Sequence, residues 1–102
     1  MYKKESDLQR AVNKYLKTQD GWFYHPRDLR KGIPDLIGVY KGWFVAIELK
    51  VGKNTPSKLQ EYNLDKIQSM GGRTCVAYTV EEVQRFLKEL DDYDRQLRGI
   101  IP

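Results

Sequence analysis

The chain has 102 residues, 40% of them hydrophobic, a net charge of +4 and a single cysteine. That length and apolar content suit one compact domain over 1–102 with a modest core, and no low-complexity tract argues for disorder. No apolar run approaches the ~20 residues of a membrane span and no leader pattern opens the sequence, so the expected setting is the cytoplasm, with no membrane partner.

In chain order, residues 4–18 read as an amphipathic helix, with Leu8, Ala11, Val12, Tyr15 and Leu16 at helical spacing. Asp20-Gly21 stops it. Trp22 to His25 is a short strand candidate, ended by Pro26 and a polar, basic stretch from Arg27 to Gly32. Pro34 to Tyr40 and Trp43 to Val51 are strand-like runs flanking Lys41-Gly42, a hairpin turn signal. After a loop at Gly52-Lys53-Asn54, Thr55 is placed to cap a helix with Pro56 at its first position. That helix should turn Leu59, Leu64, Ile67 and Met70 inward and stop at Gly71-Gly72. Thr74 to Tyr78, an apolar run holding Cys75, suits a buried strand and an inert thiol. Thr79 and Glu82 form a capping-box pattern for a last helix bearing Val83, Phe86, Leu87 and Leu90.

The expected order is thus α-β-β-β-α-β-α, an α/β fold with a mixed four-stranded sheet flanked by helices. The hairpins supply antiparallel pairs. The strand-helix-strand unit over 43–78 should cross over right-handed and pair its strands parallel.

The hairpin makes a sharper prediction. If Lys41-Gly42 are the two turn residues, Tyr40 faces Trp43 and Asp35 falls directly opposite Glu48. A four-residue loop would preserve that pairing and a three-residue loop would break it. Directly opposed side chains have Cβ atoms ~4.5–5.5 Å apart on one face, and opposed like charges destabilise a sheet. Alternation adds Lys50 to the same face. A divalent cation would compensate for the acids. Hard oxygen ligands favour Mg²⁺ or Mn²⁺ over zinc, whose His and Cys ligands the chain lacks in number. An ion held there could polarise a phosphodiester, and Lys50 could orient or deprotonate water or neutralise developing charge. The sequence leaves those roles of Lys50 undivided. An isolated E-x-K is ordinarily a surface pair; the alignment with Pro34-Asp35 across a defined turn sets this one apart.

At this point a resemblance becomes specific. Gly32-Ile33-Pro34-Asp35-Leu36-Ile37 and Ala46-Ile47-Glu48-Leu49-Lys50 look like the two halves of the PD-(D/E)xK nuclease motif. With Glu5-Ser6-Asp7-Leu8-Gln9 before it and Ser57-Lys58-Leu59-Gln60 after it, the chain resembles the VRR-NUC (virus-type replication-repair nuclease) family. The likeness covers about 5–78; the helix and tail over 79–102 are less diagnostic. It implies a restriction-endonuclease-like αβββαβ core. It implies metal ligation by Asp35, Glu48 and the backbone carbonyl of Leu49, with Lys50 at the attacking water and Glu5 and Gln60 in support. It also implies a homodimer acting on four-way DNA junctions. Bottom-up reading agrees that Glu5 shares the apolar stripe of its helix with Leu8 and Val12. An acid favoured in a first helical turn remains the alternative for Glu5, and a surface amide for Gln60.

Charge placement fits a nucleic-acid partner. Residues 1–58 hold twelve Lys/Arg against six Asp/Glu, whereas 59–102 hold six against eight. Arg27, Arg30, Lys31 and Lys53 lie in the loops bracketing the proposed site and are candidate phosphate contacts. His25, the sole histidine, reads as structural beside Pro26. Asp91, Asp92 and Asp94 read as a solvated helix face, and Leu97, Ile100 and Ile101 as tail residues that pack back or join a dimer interface. Two other classes stay open: a non-catalytic DNA-binding module on the same fold, and a flap or restriction-like nuclease. No recognition helix for base reading is visible, which disfavours the sequence-specific version.

Overall fold

The computed structural model describes residues 2–27 and 30–100, with side chains described through Leu97. Its elements are α1 (Glu5–Leu16), β1 (Gly21–Tyr24), β2 (Leu36–Tyr40), β3 (Trp43–Leu49), α2 (Lys58–Ser69), β4 (Arg73–Ala77) and α3 (Val80–Ile100). The four strands form one sheet in the order β1-β2-β3-β4. β1–β2 and β2–β3 pair antiparallel, and β3–β4, joined through α2, pair parallel. This is the expected α/β architecture.

Lys41 (φ 49) and Gly42 (φ 86) both have the positive φ of a two-residue type I′ hairpin turn. The turn fixes the register from Tyr40↔Trp43 to Leu36↔Ile47. One step further, the same register sets Asp35 against Glu48, as the sequence predicts.

Leu8, Val12 and Leu16 repeat every four residues on α1, and all are buried. They join Leu36, Tyr40, Val45, Ile47 and Leu49 of the hairpin with Val83, Leu87 and Leu90 of α3 in one core cluster. Strand alternation therefore gives α1 and α3 one face of the sheet and α2 the other. At the hairpin turn, Tyr40 is buried and donates its hydroxyl to Asp91 Oδ1 at 2.8 Å. Lys41 Nζ meets the same oxygen at 2.8 Å. Asp91 is thus a tie between α3 and the turn rather than part of a solvated face. Burial alone would raise its carboxyl, but hydrogen bonds from Lys41 and Tyr40 outweigh that and hold it below its ordinary value.

The α2 start differs from expectation. Its N-cap is Ser57, not Thr55, because Ser57 and Gln60 complete a capping box of their own: Ser57 Oγ accepts from Gln60 N–H at 3.1 Å and Gln60 Oε1 from Ser57 N–H at 2.8 Å. The inward face of α2 is also narrower than expected. Leu64 is buried and Ile67 half-buried, while Leu59 and Met70 stand exposed. At the other end Gly72 N–H bonds Ile67 O and Gly71 N–H bonds Gln68 O, a Schellman closure with Gly71 at φ +98. The α3 cap follows the sequence reading: Thr79 Oγ1 accepts from Glu82 N–H at 3.1 Å. β4 is only half-buried along most of its length, with Ala77 its one fully buried residue. Burial pushes the Cys75 thiol up to about 12, so it is inert. Among the described residues no helix is long and apolar enough to cross a membrane. Of the tail residues, Leu97 is exposed; the Ile100 side chain and Ile101 lie outside the described residues.

Candidate functional site

Asp35 stands immediately before β2 and Glu48 is the penultimate residue of β3, so both lie at the hairpin end remote from the turn. The first turn of α1 brings Glu5 to the same place. Carboxylate oxygens of Glu5, Asp35 and Glu48 all lie within 4.8 Å of one another. Asp35 is also anchored: its Oδ2 accepts from Leu49 N–H at 2.8 Å.

Glu48 is the unusual member. It is 1% exposed, and neither of its carboxylate oxygens has a hydrogen-bond donor. Its polar neighbours are the other two acids, and a contact with Asp35 becomes a hydrogen bond only when one carboxyl carries a proton. Desolvation above all, then the contact with Asp35 and its charge, push the Glu48 carboxyl up to about 9; Lys50 opposes the rise and Glu5 adds to it. Glu5 is raised as well, first by burial and then by Asp35, with Lys50 again opposing. A buried acid without a donor is costly, because its ionised form has lost water and gained nothing. A hard divalent cation among these oxygens would supply the missing counter-charge, so the donor set fits Mg²⁺ or Mn²⁺.

Lys50 follows β3, its N–H bonded to Ala77 O at 3.1 Å, and its ammonium acts on both Glu5 and Glu48. The motif acids, Glu5 and Lys50 are therefore brought together. Gln60 is not brought into that cluster: its side-chain oxygen is engaged by the α2 cap. Leu49, expected to offer its carbonyl, contributes its N–H to Asp35. Arg27, Arg30, Lys31 and Lys53 are all exposed. Arg27 lines a cleft of about 480 Å³ with Gln9, Asn13, His25, Pro34 and Asp35.

Sequence reasoning missed the residues that fix the loop before Asp35. Asn63 on α2 donates to Gly32 O at 2.7 Å. Gly32 itself has φ +85, and a Cβ there would stand 2.5 Å from Leu59 Cγ. Only glycine fits that bend. Asn63 sits one residue before buried Leu64, so a polar residue on the inward face of α2 was the available signal.

No protein-family model matches the chain, and no curated protein matches it in sequence. Solved structures do match in fold. One described as "VRR_NUC domain" superposes with a TM-score of 0.71, covering 82% of this chain and 94% of its own, at 18% identity. Another, described as "VRR_NUC domain protein", gives 0.72 over 87% of this chain and 88% of its own, also at 18% identity. The chain has the fold of these VRR_NUC structures, as its motifs imply.

Proposed function

We propose that this chain, folded like a VRR_NUC domain, is a divalent-metal-dependent DNA endonuclease that hydrolyses phosphodiester bonds. The observation that carries the reading is Glu48: a buried carboxylate with two donorless oxygens, set beside Asp35 and Glu5 and within the electrostatic reach of Lys50. Structural packing alone gives no reason to gather three acids there, since each raises the cost of ionising the next.

Asp35, Glu48 and the Leu49 carbonyl would hold Mg²⁺ or Mn²⁺, with Glu5 at the margin. A bound ion supplies Lewis acidity toward the scissile phosphate. Leu49 N–H and the hairpin register keep Asp35 aimed at the site. Lys50 holds a positive charge beside the acids, suited to orient the attacking water or to offset charge on the transition state. Exposed Arg27, Arg30, Lys31 and Lys53 present cations to the DNA backbone around the site. Gln60, closing the capping box on Ser57, supports the site through the helix that carries Asn63.

The substrate is a four-way junction cut by a homodimer. Support for association comes from the sheet rather than the tail: Trp22, Val39 and Phe44 lie in register on adjacent strands, and each is more than 40% exposed. Labelled four-way, flap and linear duplex DNA, incubated with Mg²⁺ or Mn²⁺ and with chelator, tests the whole reading. Paired, metal-dependent nicks confined to the junction are expected. Binding of every substrate without cleavage in either metal would replace the enzyme with a binding module.

A further inference from the structure

α1 carries a polar stripe beside its apolar one. Glu5, Gln9 and Asn13 are spaced by four residues, so they share a face. Glu5 reaches the acid cluster; Gln9 and Asn13 reach His25. His25 in turn contacts Asp35: its Nδ1 lies 2.9 Å from the Asp35 main-chain oxygen. Its Nε2 lies 2.6 Å from Asn13 Oδ1, and the Gln9 amide is 2.9 Å from Nδ1.

The register explains why a side chain is needed. β1 and β2 pair from Gly21↔Tyr40 to Tyr24↔Ile37. Continued past its last pair, that ladder sets Pro26 opposite Asp35. Proline has no N–H to give, so the strand backbone cannot serve the Asp35 carbonyl there. The His25 ring takes its place.

A main-chain carbonyl only accepts, which requires the proton on Nδ1. The two amides can each present either nitrogen or oxygen and therefore follow the ring. Asp35 is then held from two sides, by His25 at its carbonyl and by Leu49 N–H at its carboxylate.

We infer that His25 is a positioning residue of the candidate metal site, its Nδ1–H clamping the Asp35 main chain so that the Asp35 carboxylate stays beside Glu48. The inference rests on the proposed reading of the acid cluster as a cation site. Gln9 and Asn13 keep the ring in its plane. The clamp touches neither the ion nor the substrate. Loss of the clamp frees the end of β2 to shift, and Asp35 with it, by more than a metal site tolerates.

Long-range ¹H–¹⁵N NMR of the metal-free chain reads the tautomer directly, since there is one histidine. A proton on Nδ1 supports the clamp; a bare Nδ1 overturns it. Mn²⁺ affinity, measured by calorimetry, is then compared in His25→Asn, His25→Gln and His25→Ala. The Asn amide places a donor near Nδ1, whereas the Gln amide reaches toward Nε2. Hydrogen-bonded supports of metal ligands typically contribute about 10–100-fold in affinity, so His25→Gln and His25→Ala should lose about that much and His25→Asn only about threefold. Thermal midpoints taken alongside expose a purely structural role. If affinity simply tracks the midpoint, or if all three variants bind Mn²⁺ like the parent, the inference is overturned. A parent that binds Mn²⁺ in this order of variants yet cuts no DNA sinks the nuclease reading and leaves the clamp standing. A parent that cuts DNA while Asn and Gln behave alike does the reverse.

Discussion

Asp35 and Leu49 are joined across the open end of the hairpin by a hydrogen bond from Leu49 N–H to Asp35 Oδ2, 2.8 Å long. The bond divides the labour of one carboxylate. The backbone holds Oδ2 while the carboxylate keeps its place beside the other two acids.

Asp35→Asn separates the two jobs. An amide can turn its oxygen to Leu49 N–H and keep the local geometry, but it brings no charge to share with a cation. Folding stability at neutral pH should hold or rise, because one of three crowded acids is gone. Mn²⁺ binding and cleavage should fall at least about 100-fold, the scale of a lost electrostatic participant. Calorimetric titration with urea unfolding checks both; a variant that still binds Mn²⁺ like the parent would remove Asp35 from the site.

Burial of Glu48 carries a pH signature. Its carboxyl is raised from 4.5 to about 9, so between those values the unfolded chain binds fewer protons at this group than the folded one. The group's contribution to stability is therefore full below about pH 4.5, is lost as pH rises through the window, and levels off above about 9. Urea midpoints in chelator should decline from pH 5.5 to 8.5, and Glu48→Gln should flatten the decline. Mn²⁺ should reverse it, since the ion binds only the ionised site. Identical slopes in parent and variant would show that Glu48 ionises freely.

The far end of the hairpin should behave independently. Asp91→Ala leaves the Tyr40 hydroxyl buried without its acceptor, a cost of about 1–3 kcal/mol. Tyr40→Phe removes the orphan, so the double variant should lose less than the two single losses together. The Lys41 contact is too exposed to add much. Cleavage by either variant, assayed below its unfolding midpoint, should stay within about twofold of the parent, because the tie lies at the turn and not at the acids. Additive losses would mean that the Tyr40–Asp91 contact contributes nothing.

Much of this site was legible because it depends on local rules. Lys41-Gly42 fixes a turn, the turn fixes a register, and the register opposes Asp35 to Glu48. Each step needs only neighbours in sequence. The α2 start was misread because Thr55-Pro56 and Ser57-Gln60 are both good start signals. The reciprocal Ser57–Gln60 bonds decide between them. Leu59 and Met70 stand exposed because they fall well round the helix from buried Leu64, five residues before it and six after. The His25 clamp was illegible for another reason: it spans α1, β1 and β2. What the sequence did offer was the four-residue spacing of Glu5, Gln9 and Asn13 beside the apolar stripe.

Lys50 gives the cleanest separation of binding from chemistry. Its charge opposes the rise of both Glu5 and Glu48, so it belongs electrostatically to the acid cluster rather than to the exposed cations around it. Lys50→Ala should reduce turnover by about 10²–10⁴-fold, the range for a positioned proton-transfer group. Junction affinity in Ca²⁺ or chelator should change little, with nearly the parent's salt dependence. Neutralising Arg27, Lys31 and Lys53 together should do the opposite. Affinity should fall, and the slope of log affinity against log salt should shrink by about one per lost phosphate contact, while turnover of the bound complex persists. Should Lys50→Ala instead lose affinity and keep its turnover per bound complex, the lysine would belong to the DNA-holding surface, and the attacking water would need another partner.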